Sequence, residues 1–222
     1  GLSAMGCRWG LLLLRLLAAS ANARGLAAVP ARSGVGRCPS PVLRAPPPLR
    51  LANASTKWLV VGANTAAVLS LRGFLPPFLT LGSIGATYGT EGLKLAINQR
   101  RPDGAPFTDP GMPSSHALVS VFLAVGWAQL ARSRSVSAAL LAAAAVISVL
   151  RVLCGYHTYA QIAVGAVLGA ATAVAWMALG VALLAAADPR LALVLVWSAY
   201  LGGSALFIVT KMAKWTGKYK AL

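Results

Sequence analysis

Three short segments contain almost all of the residues in this chain that could do chemistry. They are KLAINQRRP (Lys94 to Pro102), MPSSH (Met112 to His116) and LRVLCGYHTYAQ (Leu150 to Gln161). The first and third carry cations, the second places two serines before a histidine, and the third adds a second histidine. Arginine and lysine bind phosphate oxygens, and histidine can act as a nucleophile or a general acid. These residue types predict a site that binds and transfers a phosphoryl group.

Each segment taken alone also has a purely structural interpretation. Cations such as Lys94 and Arg101 at a helix end can anchor the helix at a membrane surface. A serine such as Ser114 after a proline is typical of a helix N-cap, although a helix N-terminus also binds phosphate through its N–H groups. Arg151 is harder to explain in this way, because it interrupts an apolar run. The combination of all three segments is what favours a functional site.

The composition indicates a helical membrane protein rather than a soluble domain. Hydrophobic residues make up 58% of the 222 residues, and charged residues only 11%. Twenty Lys and Arg against four acidic residues give a formal net charge of +16, which favours anionic partners. Because the basic residues are scattered among apolar segments, anionic lipid is a better candidate than nucleic acid. The scattered cysteines and carboxylates favour no metal cofactor.

The N-terminal residues predict a targeting segment. Seven arginines and no acidic residue precede Lys57, which is typical of an organelle transit peptide. The apolar stretch from Gly10 to Ser20 leaves a secretory signal open, although Arg15 interrupts it. The Pro-rich stretch from Ser40 to Arg50 predicts an extended linker, so the membrane domain is expected to begin near Lys57. The predicted organisation is a leader and linker at 1–55, a membrane domain at 56–215 and a basic tail at 216–222.

Apolar segments separated by charged or proline-containing breaks predict about six membrane helices. Their expected ranges are 57–71, 76–98, 114–131, 136–153, 157–184 and 189–213. About 20 residues cross a hydrocarbon core, so the first and third helices are short. The small residues of GAVLGAA (Gly165 to Ala171) are typical of close helix packing in lipid. The expected fold class is therefore an all-α, polytopic membrane bundle.

The order of the helices predicts that the three chemical segments meet at one membrane face. His116 opens the third helix and Arg151 closes the fourth, so this helical hairpin returns both residues to the same side. The cations that end the second helix can reach that face too. Gln161 lies one helical turn after His157 and can contact its ring.

The three blocks resemble the signature of the type 2 phosphatidic acid phosphatase superfamily of integral membrane phosphatases. That signature is Lys, six residues, Arg-Pro; then Pro-Ser-Gly-His; then Ser-Arg, five residues, His, three residues, Asp. The matching positions, within a resemblance that covers about residues 57–184, are Lys94, Arg101, Pro102, Pro113, Ser114, His116, Arg151 and His157. The KW pair at Lys57, the DPGMPSSHA stretch and the LRV run are most similar to plant and algal plastid lipid phosphate phosphatases.

The resemblance implies a metal-independent phosphatase that works through a phosphohistidine. His157 would be the nucleophile, His116 the general acid and Gln161 the residue that orients His157. The residues implied to hold the phosphate are Lys94, Arg101, Ser114, Ser115 and Arg151. The implied reaction, without any cofactor, is hydrolysis of phosphatidate to diacylglycerol in the plastid envelope. An isoprenoid diphosphate as substrate and the endoplasmic reticulum as location remain open alternatives.

Three positions depart from the signature. Ser115 stands in place of Gly, Leu150 in place of Ser and Gln161 in place of Asp. Ser115 could limit the approach of backbone to phosphate or add a hydroxyl donor, and Leu150 removes one hydrogen bond to the anion. The amide of Gln161 carries no charge, and in a serine protease triad the change of Asp to Asn costs about 10⁴-fold in turnover. A catalytically inactive lipid-binding membrane protein is therefore a third interpretation.

Overall fold

The computed structural model describes residues 45–212, which fold into six α-helices and a short terminal π-helix. The helices are α1 (Pro47–Leu71), α2 (Leu75–Ile97), α3 (Ser115–Leu130), α4 (Arg134–Leu153), α5 (Tyr159–Ala186) and α6 (Pro189–Phe207), with the π-helix at Ile208–Met212. No strand occurs between residues 45 and 212. The predicted all-α bundle is confirmed, and every predicted helix but the first begins within two residues of its expected position.

The first helix begins at Pro47 rather than near Lys57. Proline is tolerated in the first turn of a helix, because the N–H groups there have no partner within the helix. The prediction of an extended linker is therefore wrong for residues 47–50. Residues 1–44 and 213–222 lie outside the described part of the chain, so the leader, the basic tail and the boundaries proposed for them stay predictions.

The helices differ in how well they suit a membrane. By length and composition α4, α5 and the segment Pro189–Lys211 could each cross one. α3 is also apolar but has only 16 residues, a length of about 24 Å. α1 buries polar side chains, among them Asn53, Lys57 and Asn64. Polar groups at membrane depth face the interior of a bundle rather than lipid, so α1 has a polar inner face.

α3 lies at the centre of the bundle and packs against α5, α4 and α2. Its contact with α5 depends on glycine, since a methyl group at Gly165 would lie 2.7 Å from the carbonyl oxygen of Ser114. A methyl group at Gly169 would overlap the carbonyl of Leu118. The GAVLGAA stretch is thus a packing surface, as predicted. This contact holds the N-termini of α3 and α5 side by side.

The connections divide the bundle into a plain end and a chemical end. Short links at residues 72–74, 131–133 and 187–188 join the helices at one end. The longer loop 98–114 and the turn 154–158 lie at the other end. The second end also carries the N-terminus of α1 and the C-terminus of α6, because consecutive helices alternate in direction. All three chemical segments therefore reach one face of the bundle, as predicted.

Candidate active site

A cavity of about 830 Å³ extends from the chemical end into the bundle, between α1, α2, α3, α4 and α6. The predicted site residues that line it are Lys94, Arg101, Ser115, His116, Arg151 and His157. The two others, Ser114 and Gln161, are fully buried beside it and are not among its lining residues. The structure therefore gathers the predicted residues in one place, and their catalytic roles remain predictions.

His157 lies on the turn that joins α4 to α5, and only 3% of its surface is exposed. The backbone N–H groups of Tyr156 and His157 donate to the carbonyl oxygen of Arg151, at 2.9 and 3.2 Å. Gly155 closes this turn with a φ of 73°, a conformation that glycine adopts without steric cost. The turn thereby fixes His157 relative to Arg151, the cation in the last turn of α4.

Hydrogen bonds determine which nitrogen of the His157 ring carries the proton. Nη1 of Arg101 lies 3.1 Å from Nε2, and a guanidinium can only donate, so Nε2 must be the unprotonated nitrogen. Nδ1 then carries the proton and donates to Oε1 of Gln161 at 3.1 Å. Burial and the charges of Arg101 and Arg151 lower the pKa of His157 to about 3. The ring is therefore neutral at physiological pH, with its lone pair toward Arg101.

The other contacts of Gln161 establish how its amide is turned. Nε2 donates to the carbonyl oxygen of Arg100 at 2.8 Å and to Oε1 of Gln99 at 3.1 Å. Because a carbonyl only accepts, the NH₂ group must face Arg100 and the oxygen must face His157. The same oxygen accepts from Thr158 N–H at 3.2 Å, within the capping box that begins α5. The predicted contact with His157 is present, and the amide presents its acceptor end there.

Lys94 and Arg101 share the carboxylate of Asp109. Oδ2 of Asp109 accepts from Lys94 Nζ at 3.0 Å and from Arg101 Nη2 at 2.8 Å. Burial acts to raise the pKa of Asp109, but the hydrogen bond from Arg101 and the charges of Lys94 and Arg101 outweigh it and lower the pKa to about 2. An internal anion thus bridges two cations expected to hold phosphate. Sequence reasoning gave Asp109 no role, although an acid just before MPSSH was a usable signal.

Arg151 is held from two sides at the edge of the cavity. Its Nη1 donates to Oδ1 of Asn53 on α1 at 3.0 Å, and its guanidinium lies 4.2 Å from the centre of the Tyr156 ring. Only 3% of Arg151 is exposed, so its charge acts on the cavity with little screening by water. Asn53 was not identified from the sequence, since nothing local links it to an arginine 98 residues further on.

The two serines of MPSSH have different positions. Ser114 is the N-cap of α3, as predicted, and its N–H donates to the carbonyl oxygen of Gln161 at 3.1 Å. Its buried Oγ has no hydrogen-bond partner among residues 45–212. Ser115 and His116 lie in the first turn of α3 and line the cavity. Ser115, the departure from the family signature, is therefore the serine with direct access to a bound anion.

Two lysines that sequence reasoning did not assign to the site also line the cavity. Lys57 on α1 is 8% exposed, and Lys211 on the π-helix is 4% exposed. Lys211 forms an ion pair of 2.5 Å with Glu91 and lies 4.3 Å from the centre of the Tyr88 ring. Lys57 precedes the three motif blocks, and although its KW pair contributed to the family resemblance, nothing in the sequence placed it at the site.

A neutral and oriented histidine, surrounded by cations at one end of a helical membrane bundle, defines a site suited to phosphoryl transfer. The model of one protein family, described as the PAP2 superfamily, matches residues 74–185. The chain belongs to the PAP2 superfamily, as the resemblance of its three blocks indicated.

Two curated relatives come from Arabidopsis thaliana. They are lipid phosphate phosphatase epsilon 2, chloroplastic, and lipid phosphate phosphatase epsilon 1, chloroplastic. Each is 31% identical to this chain over 134 residues, which is 57% of this chain and 47% and 48% of the respective relatives. The chain therefore spans about half the length of the curated relatives it matches. No solved structure shows a significant match.

Proposed function

We propose that the protein is an integral membrane phosphatase that hydrolyses phosphatidate to diacylglycerol and phosphate through a phosphohistidine. One observation carries the proposal: His157 is neutral, and Arg101 and Gln161 hold its two ring nitrogens in opposite roles. The names of the two relatives, lipid phosphate phosphatases, support a lipid phosphate as substrate.

The proposed reaction begins when substrate phosphate draws the Arg101 guanidinium away from Nε2 of His157. The lone pair of Nε2 then attacks phosphorus, and a P–N bond forms as the P–O bond to glycerol breaks. His116 gives its proton to the departing oxygen. Water next attacks the phosphohistidine, His116 takes up the proton of that water, and cleavage of the P–N bond restores the ring. Lys94, Arg101 and Arg151 would hold the phosphate oxygens throughout.

Gln161 would control the tautomer of His157 without adding charge. Its oxygen accepts the Nδ1 proton, so Nε2 stays available as the nucleophile. The ring becomes positive as the P–N bond forms, and an amide stabilises that charge less than a carboxylate would. We therefore expect an active but slow enzyme, in which Gln161→Asp raises turnover.

An isoprenoid diphosphate phosphatase is the second candidate function. Lys57 favours it, because this buried lysine adds a fourth cation to the cavity wall beside the three implied by the family signature. A diphosphate ester carries more negative charge than phosphatidate and would gain more from the fourth cation.

Phosphate release in detergent with EDTA, from phosphatidate and from a prenyl diphosphate, tests both functions. We expect turnover by the wild type and none by a folded His157→Ala variant, and the faster lipid identifies the substrate class. Rapid quenching in alkaline detergent should also trap a phosphohistidine in the wild type only, because the P–N bond is stable in base and labile in acid. Absence of turnover from either lipid in folded wild-type protein would contradict the proposal and support an inactive lipid-binding protein.

We further propose that the protein resides in the plastid envelope. The support is the word chloroplastic in the names of both relatives, together with the arginine-rich composition of residues 1–55. A fluorescent protein fused to residues 1–55 should enter isolated chloroplasts, and the full chain should fractionate with the envelope. Accumulation of the full chain in the endoplasmic reticulum would contradict this location.

A further inference from the structure

The orientation of the Gln161 amide depends on a residue outside the family signature. Gln99 lies in the loop after α2, and its Oε1 accepts from Nε2 of Gln161 at 3.1 Å. If the amide were turned the other way, the oxygen of Gln161 would meet the carbonyl oxygen of Arg100, which can only accept, and Gln99 would have to rotate its own amide to present a donor. Gln161 would also present its NH₂ group to the Nδ1–H of His157. The contacts of the NH₂ group therefore hold the oxygen on His157.

The backbone around Gln99 keeps this contact in place. The N–H of Gly111 donates to the carbonyl oxygen of Gln99 at 2.7 Å, which closes the loop beneath the Gln161 amide. A methyl group at Gly111 would lie 2.6 Å from Nε2 of Gln161 and 2.8 Å from its Oε1. Only glycine leaves room for the amide at this point. The amide is therefore enclosed by Gln99, Arg100 and Gly111 on the side away from His157.

We propose that Gln99 is a positioning residue, which holds the Gln161 amide so that its oxygen orients His157 in place of a carboxylate. The proposal rests on the proposed phosphatase function for its kinetic consequence, whereas its structural consequence is the tautomer of His157. Gln99 acts through Gln161 and needs no contact with substrate. Its side chain must supply a hydrogen-bond acceptor, so a glutamate should replace it and a leucine should not.

Two variants separate the acceptor from the bulk of the side chain. Gln99→Leu removes the acceptor, and we expect kcat to fall about threefold to tenfold with KM nearly unchanged, the size expected for loss of one hydrogen bond. Gln99→Glu keeps an acceptor, so its kcat should stay within about twofold of that of the wild type. Gln129→Leu is the matched control, since Gln129 is also exposed and its side chain donates to the carbonyl oxygen of Val125 on its own helix.

The same variants should behave differently when Gln161→Asp is introduced first. A carboxylate there needs a donor from position 99, which Gln99 can supply by rotating its amide. Gln99→Glu would instead bring two carboxylates together, so it should lower kcat about tenfold relative to Gln161→Asp alone. A purely structural role for Gln99 would not make the same substitution harmless in one protein and harmful in the other.

The tautomer of His157 can be measured by NMR, independently of enzyme activity. The chain has only two histidines, so ¹⁵N-labelled imidazole signals in detergent can be assigned by comparison with His116→Asn. We expect the Nδ1–H tautomer at His157 in the wild type, Gln99→Glu and Gln129→Leu, and a mixture of tautomers in Gln99→Leu, in which the Nε2–H form gives up its contact with Arg101. A single Nδ1–H tautomer in Gln99→Leu would overturn the proposal, as would an equal effect of Gln99→Glu in both backgrounds. If the wild type released no phosphate, the proposed phosphatase function would be wrong. The tautomer of His157 in Gln99→Leu would still show whether Gln99 positions the Gln161 amide.

Discussion

The bundle contains two buried polar networks that border the same cavity, and they differ in charge. Toward the plain end of the bundle Trp127 Nε1 donates to Asn64 Oδ1 at 2.9 Å, and Asn64 Nδ2 donates to Thr80 Oγ1 at 3.0 Å. The hydroxyl of Thr80 donates onward to the carbonyl oxygen of Pro76 at 3.2 Å. Every group in this hydrogen-bonded network is neutral, and each of its donor atoms has an acceptor. Such a network joins α1, α2 and α3 and has no need of a ligand.

The network at the chemical end has an excess of positive charge. The wall of the cavity carries Lys57, Lys94, Arg101 and Arg151 against the carboxylate of Asp109, besides the ion pair of Lys211 with Glu91. An anion can lower the free energy of this arrangement, whereas it would gain nothing from the neutral network. Buried polar groups therefore mark a binding site when their charges do not balance, and burial by itself is not enough.

After His157, whose replacement by alanine should abolish turnover, the largest effect on turnover should come from His116. Replacement by alanine removes the proposed proton donor for the leaving oxygen, so we expect phosphate release to fall about 10²- to 10⁴-fold, the usual range for a general acid. The measurement is single-turnover phosphate release from the lipid that the wild type prefers. An unchanged rate in folded His116→Ala protein would remove His116 from the mechanism.

Acid should lower the stability of the folded protein, because the ring of His157 is buried in its neutral form. Its pKa is about 3 in the folded protein and about 6.5 when unfolded, so the unfolded chain binds more protons below pH 6.5. Above pH 6.5 the ring is neutral in both states, so it does not change the free energy of unfolding. As the pH falls from 6.5 toward 3, the unfolded chain binds a proton that the folded protein does not, and the free energy of unfolding decreases. The loss should reach about 1.4 kcal/mol per pH unit, measured as a fall in melting temperature from pH 6.5 to 5. The melting temperature of His157→Asn should fall less steeply over this pH range. Parallel curves of melting temperature against pH for the two proteins would contradict the prediction.

Lys57 tests whether the fourth cation takes part in binding. We expect Lys57→Met to raise KM about tenfold, since a hydrogen bond to a charged group contributes about 1.5–3 kcal/mol. The increase should be larger for a prenyl diphosphate than for phosphatidate. Lys57→Arg should restore most of the affinity, and Arg72→Met at the plain end serves as the charge-matched control. Equal KM values in Lys57→Met and the wild type, for both lipids, would show that Lys57 does not contact substrate.

Asp109 should compete with phosphate for the same two cations. Asp109→Asn removes the negative charge between Lys94 and Arg101, so inorganic phosphate should inhibit turnover at about fivefold lower concentration. This corresponds to about 1 kcal/mol, as expected for a partly exposed ion pair. Weaker inhibition in the variant would mean instead that Asp109 helps to position the cations for binding.

The smallest effect on turnover should come from the neutral network. Trp127→Phe leaves Oδ1 of Asn64 without its donor, and the unsatisfied group should cost about 1–3 kcal/mol of stability. Turnover at a temperature where the variant stays folded should remain within about twofold of the wild type. A large loss of turnover would show that the two networks are coupled across the cavity.

Much of the fold could be predicted from local sequence. Helices α2 to α6 follow from apolar runs and from the breaks between them, and the convergence of the three blocks follows from the alternating directions of consecutive helices. The start of α1 could not be predicted in this way, because prolines signal a helix break and a permitted first turn equally well. In the folded chain, Leu49 in the first turn of α1 packs against Cys154 and Tyr156, residues about 105 positions further on that local sequence does not connect with it.

The candidate site could be predicted only in part. His116, His157 and the cations of the signature were identifiable because their types and spacing are properties of the chain itself. Lys57, Asn53, Gln99 and Asp109 were not identified, because each acts on a residue that is distant in sequence or lies on another element. No periodicity or motif connects α1 with Arg151, or the loop after α2 with Gln161.

That this protein is a helical membrane bundle of the PAP2 superfamily follows from local properties of the chain, namely hydropathy, helix length and motif spacing. Which nitrogen of His157 bears the proton, and which end of the Gln161 amide faces it, follows from the folded arrangement alone. Those answers depend on the positions of Arg101, Arg100 and Gln99 around two side chains. A hydrogen-bond network has one arrangement of donors and acceptors only after the chain has brought all its members together.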